Sequence, residues 1–114
     1  MDKTRFDKRI PHNASPGQPS ELLKDPRQAA MTEVADPELF PLLKDPETIR
    51  CILKDDIPVP ATSDREGSYD DRHLSYWLSG YQDYLSIIRF IPEARNANYI
   101  FDFGGASGRV TRHF

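Results

Sequence analysis

One stretch near the end of the chain constrains the fold more than any other: Tyr99-Ile100-Phe101-Asp102-Phe103-Gly104-Gly105-Ala106-Ser107-Gly108-Arg109-Val110. The apolar run from Tyr99 to Phe103 reads as a short buried strand. A glycine-rich turn follows from Gly104 to Gly108. Val110 and Phe114 then stand four apart, the spacing of one face of a helix. Strand, glycine turn and helix start together describe the first βα unit of a nucleotide-type α/β fold. The sequence stops six residues after Gly108. The expectation is therefore the beginning of such a sheet, completed by further chain or by a partner.

Small residues in this turn have definite uses. Gly104 lets the chain leave the strand sharply, in a backbone shape closed to residues with a Cβ. Ala106 keeps the turn thin, so that a ligand can approach the main chain. Gly108 lets the next helix sit tightly on the strand. The N-terminus of that helix would offer unpaired N–H groups to a negative group.

Two of the common glycine turns do not fit. The P-loop pattern G-x-x-x-x-G-K-S/T, counted from Gly104, puts Arg109 at the second glycine, with no Lys-Ser/Thr after it. The dinucleotide pattern G-x-G-x-x-G asks for Gly or Ala at 109 and also finds Arg. What remains is Asp-x-Gly-x-Ala-x-Gly from Asp102. This spacing resembles motif I of class I S-adenosylmethionine-dependent methyltransferases, and the string Phe101 to Phe114 looks like that family throughout. Ala106 departs from the glycine that is commoner at the middle position.

The rest of the chain divides by composition. Residues 1–20 are polar and carry Pro11, Pro16, Gly17 and Pro19, which reads as a disordered leader. Residues 21–68 read as a helical arm and linker. Leu22-Leu23-Lys24-Asp25-Pro26 reappears as Leu42-Leu43-Lys44-Asp45-Pro46, and Asp36-Pro37 adds a further Asp-Pro pair. An Asp side chain can accept from the free N–H groups of a first turn, and Pro is tolerated just inside it. Short helices are expected at 26–34, 37–43 and 46–54. Asp55 to Tyr69 reads as a linker. In it Ile57 and Val59 alternate with Pro, as in an extended segment pressed on a surface.

Residues 69–114 read as the incomplete beginning of the methyltransferase domain. Leu74, Trp77, Leu78, Tyr81, Leu85, Ile88 and Ile91 recur at three- and four-residue steps, which describes a long amphipathic helix. Asp70 or Asp71 would cap it and Pro92 would end it. Gly80 in its middle points to a close neighbour, a bend or a division. Tyr76-Trp77-Leu78-Ser79-Gly80-Tyr81-Gln82-Asp83-Tyr84 is similar to the helix that leads into the first strand in that family.

The resemblance implies a cofactor and a site. S-adenosyl-L-methionine would be held by the backbone around Gly104, Gly105, Ala106 and Gly108, with its ammonium drawn to the Asp102 region. Tyr76 and Tyr84, at the edge of the apolar stripe, are the candidate aromatic contacts. The catalytic residue is unknown, and the acidic residue for the ribose would follow a second strand beyond Phe114. The acceptor of the methyl group is also unassigned.

Other chemistry is weaker. Arg109 reads as a surface residue of the first turn, and His113 as a packing or surface histidine. Asp70, Asp71 and His73 are explained as a cap and a surface histidine better than as a metal site. Cys51 is the one cysteine, so there is no disulfide framework. A formal charge of −3 without a basic stripe gives no reason to expect nucleic acid. Nothing approaches the ~18 consecutive apolar residues of a membrane span, so the chain is expected to be cytoplasmic. Two alternatives stand beside the methyltransferase: another nucleotide-binding Rossmann-like protein, and a non-catalytic helical interaction module.

Overall fold

The computed structural model of the chain describes residues 15–23, 37–65, 72–100 and 107–114. Four α-helices order these residues: α1 (Pro19–Leu22), α2 (Phe40–Leu43), α3 (Pro46–Lys54) and α4 (His73–Phe90). Short 3-10 turns cover Pro37–Leu39, Thr62–Asp64, Pro92–Asn96 and Thr111–His113.

Local chemistry explains α3. Asp45 has extended backbone and its Oδ1 accepts from the Glu47 N–H at 3.0 Å. Pro46 follows at the first helical position, where its missing N–H costs nothing. Pro37 likewise begins the 3-10 turn Pro37–Leu39, which runs on into α2; Asp36 before it lies outside the described residues. The helix expected at 26–34 lies outside the described residues.

α4 is the axis of the molecule. It runs from His73 to Phe90, and Pro92 starts the 3-10 turn beyond it. The residue at its cap position is Arg72, which makes no side-chain cap bond. Asp70 and Asp71 lie outside the described residues. The helix does not break at Gly80. A Cβ there would collide with the backbone carbonyl of Arg109, whose carbon lies 2.8 Å from that position. Glycine is present because another segment crosses at backbone distance.

The first half of α4 is enclosed on several sides. Leu74 and Tyr76 join Leu22 and Val59 in one apolar cluster. Trp77, Leu78 and Tyr81 join Leu39 and Ile52 in another. His73, expected at the surface, is buried, and so is Ser75. Beyond Tyr81 the helix emerges into solvent on most of its faces, and Phe90 is 81% exposed. Burial of a large apolar side chain is worth about 1.5–3 kcal/mol. On that scale the first half of α4 carries far more of the stability than the second.

The stretch after α3 is held by this core. Val59 is fully buried, and its N–H donates to the Gly17 carbonyl at 2.9 Å in an isolated antiparallel bridge. The Ser15 hydroxyl donates to the Val59 carbonyl at 2.5 Å. Residues 15–22, within and just after the stretch read as a leader, therefore pack against the body. Gly17 sits there with φ +98°, in the left-handed region that favours glycine.

The expectation of an α/β fold is overturned. Helix accounts for 65% of the described residues, and that one bridge is their only strand-like pairing. Among them there is no sheet and no Rossmann strand. Tyr99 and Ile100, the first residues of the expected strand, are irregular, and Tyr99 is 95% exposed. An apolar run becomes a strand only where neighbouring strands take up its N–H and C=O groups and its side chains are covered. Neither condition is met at Tyr99 and Ile100. Phe101, Asp102 and Phe103 lie outside the described residues. After Gly108 the chain forms a turn and the 3-10 segment Thr111–His113 instead of an α-helix.

Candidate functional site

The described end of the glycine turn, residues 107–110, lies against the polar edge of α4. The Tyr76 hydroxyl meets the Ser107 Oγ at 2.7 Å. Tyr76 is fully buried, and the Arg65 guanidinium lies over its ring, 5.2 Å from the centroid. Arg109 is not a free surface residue. Its guanidinium donates to the Ser79 Oγ at 3.1 Å and to the Asp83 carboxylate at 2.8 Å. Ser79 and Asp83 stand one helical turn apart, so a single planar fork reaches both. Together with the crossing at Gly80, these contacts fix the backbone of 107–110.

Gly108 has φ +78°. Nothing lies within 4 Å of where its Cβ would stand. Its requirement for glycine is thus one of backbone conformation, and the space beside it is open. Of the residues assigned to the cofactor from sequence, Asp102, Gly104, Gly105 and Ala106 lie outside the described residues. Tyr76 reaches the turn through Ser107, whereas Tyr84 lines a second feature.

That second feature is a recess of about 280 Å³. Trp77, Tyr81, Tyr84, His113 and Phe114 contribute aromatic rings to it. Cys51, Lys54 and Asp55 line it from the end of α3, with Arg112 beside them. Tyr81 stacks on Trp77 at 5.1 Å and on Tyr84 at 6.0 Å between ring centroids. His113 meets Trp77 edge-on at 4.7 Å, and Phe114 meets Tyr84 edge-on at 4.9 Å. His113 is a packing residue. Burial holds its pKa down at about 4, with Arg112 adding to the effect, so the ring is neutral at physiological pH. Burial also pushes the Tyr81 hydroxyl up to about 12, helped by the Cys51 thiol, which lies 3.8 Å from it.

Beneath the recess Asp55 gathers donors from three segments. Its carboxylate accepts from the Trp77 indole at 2.7 Å, the Arg112 guanidinium at 3.3 Å and the Ile57 N–H at 2.9 Å. Arg112 also donates to the Ile57 carbonyl. The Asp55–Arg112 pair is almost wholly buried, and its desolvation is offset by these further bonds.

Sequence reasoning singled out neither Asp55, which read as linker, nor the Ser79–Asp83 pair. The latter had a signal: two polar residues four apart on the edge of an apolar stripe, and an arginine beyond a turn. Among the described residues no group of His, Cys, Asp and Glu could hold a metal ion, and no helix is long and apolar enough to cross a membrane. Comparison with protein-family models, curated proteins and solved structures finds no match to this chain.

Proposed function

We propose that the chain carries part of the cofactor site of an S-adenosylmethionine-dependent methyltransferase. One observation carries the reading: the string Asp102-x-Gly104-x-Ala106-x-Gly108 ends at a glycine with a left-handed backbone and open space beside it. Support also comes from the way Tyr76, Gly80 and Arg109 lock that end of the turn against α4. The reading rests on the turn and its covering helix and uses no parallel sheet.

Gly104, Gly105, Ala106 and Gly108 would present main-chain N–H groups to the methionine end of the cofactor, with Asp102 near its ammonium. The cofactor supplies a sulfonium methyl group that is already activated toward a nucleophile. The protein's share of the work is then chiefly positioning, which can be worth about 7–11 kcal/mol when two reactants are fully oriented. Tyr76 and Arg109 serve that positioning by holding Ser107 and the residues after Gly108 in place.

Calorimetric titration with S-adenosylhomocysteine checks the reading. Saturable binding is expected, and Gly108→Val should weaken it at least tenfold, since a β-branched residue is excluded at positive φ. Absence of binding at millimolar ligand, or equal binding by a folded Gly108→Val variant, overturns it. Absence of binding would favour the second reading, a non-catalytic helical interaction module. That reading draws on the helical content of the described residues and on the exposed Phe90, Ile91 and Tyr99.

A further inference from the structure

The aromatic recess between α3, α4 and residues 112–114 has no role in the reading above. Its volume of about 280 Å³ is that of a small ligand site. An apolar cavity of about 150 Å³ accepts one benzene ring, so this space admits a fused ring pair or a ring with a substituent. Tyr84 is half-buried and Phe114 is 37% exposed, which places ring surface where an incoming molecule would meet it. Flat aromatic surfaces reward a flat aromatic partner by stacking and edge contacts.

Charge decides which aromatic partner fits. Aromatic rings alone would equally suit a cation. The carboxylate of Asp55 is already engaged by Trp77, Ile57 and Arg112, and the Arg112 guanidinium is engaged by Asp55 and the Ile57 carbonyl. These two charges offset each other within a closed network. His113 is neutral and the Tyr81 hydroxyl stays protonated. Among the charged side chains of the lining Lys54 is the one left uncompensated; it makes no ion pair among the described residues. His113 adds a buried Nε2 that has no hydrogen-bond partner among the described residues. A cation would meet the Lys54 ammonium as a like charge, whereas an anion would meet it free to pair.

We propose that this recess binds a planar aromatic molecule bearing an acidic group, its rings against Tyr84 and Phe114 and its acidic group toward Lys54. The site lies beside the glycine turn, and residues 112–114 of its lining follow that turn directly. It is also next to Cys51, the only cysteine of the sequence, so occupancy can be read at one thiol.

The test uses the full chain and three probes of one shape: naphthalene-2-carboxylate, the neutral naphthalene-2-carboxamide and the cationic 2-naphthylmethylammonium. Calorimetry gives their affinities, and the rate of Cys51 alkylation by iodoacetamide gives their location. The carboxylate is expected to bind in the submillimolar range and to slow alkylation at least threefold at saturation. Lys54→Gln, on an exposed side chain, should weaken the carboxylate about three- to fivefold and leave the carboxamide unchanged. Phe114→Ala should weaken both. The proposal is overturned if millimolar carboxylate leaves the alkylation rate unchanged, if the ammonium binds as tightly as the carboxylate, or if Lys54→Gln does not separate the two. S-adenosylhomocysteine titration of the same samples reports on the turn separately, so either reading can fail without the other.

Discussion

His113 packs its ring among Trp77, Tyr81 and Tyr84, with Arg112 beside it in sequence. Burial and the neighbouring guanidiniums of Arg112 and Arg109 disfavour a second proton; Asp55 and the Trp77 backbone favour it, and burial prevails. The unfolded ring takes up a proton below about pH 6.5, the folded ring only near pH 4. Between those values the unfolded state binds more protons, so acid favours unfolding. The contribution is fully present above pH 6.5 and is lost as the pH falls toward 4. Its size is on the order of 2–3 kcal/mol. Urea unfolding at pH 7 and pH 4.5 is expected to show this loss in the native chain and most of it removed in His113→Gln. Equal losses in both would assign the acid sensitivity to carboxylates instead.

Between elements, the crossing of α4 by residues 107–110 is set by one glycine. Alanine at position 80 would gain up to about 1 kcal/mol of helix propensity. Its Cβ would meet a backbone carbonyl, which cannot rotate aside as a side chain can. Overpacking costs about 1–3 kcal/mol, so Gly80→Ala is expected to destabilise by about 1–2 kcal/mol on chemical denaturation and to loosen the Tyr76–Ser107 contact. A gain in stability would mean that the crossing is slack. The close neighbour of Gly80 was legible in sequence as one of three alternatives, because a mid-helix glycine needs a reason. The start of α3 was legible for a local reason: Asp45 and Pro46 act on the turn they open. The length of α4 was legible from its three- and four-residue steps and from Pro92. What a stripe could not reveal is that several segments converge on the first half of α4, burying His73 and Ser75 as well. Nor does an apolar run such as Tyr99-Ile100 say whether partner strands exist. Of the candidate site, Tyr76 and Tyr84 were singled out from the edge of the stripe as cofactor contacts; that Tyr76 meets Ser107 and Tyr84 borders the recess was not legible, since the recess is lined from three separate segments.

At the scale of the whole molecule, the carboxylate of Asp55 joins the end of α3, the middle of the first half of α4 and the C-terminal segment. Removing one member of a buried, hydrogen-bonded pair leaves an uncompensated charge and typically costs about 3–5 kcal/mol. Asp55→Ala is expected to lower stability by about that amount. The emission of Trp77, the only tryptophan, should shift to the blue as its indole loses a negatively charged acceptor at the pyrrole nitrogen. Hydrogen exchange across residues 107–114 should rise in the same variant. Unchanged exchange there would mean that the contacts of Ser107, Arg109, His113 and Phe114 hold the segment without Asp55. The donors that Asp55 collects stand 2, 22 and 57 residues along the chain. Closing a longer loop costs more chain entropy, though only slowly with length. By that scaling the 57-residue closure by Arg112 costs only about 0.8 kcal/mol more than the 22-residue closure by Trp77. Residues 107–114 thus lie as a clasp across the helices, pinned at one end by Arg109 on Asp83 and at the other by Arg112 on Asp55.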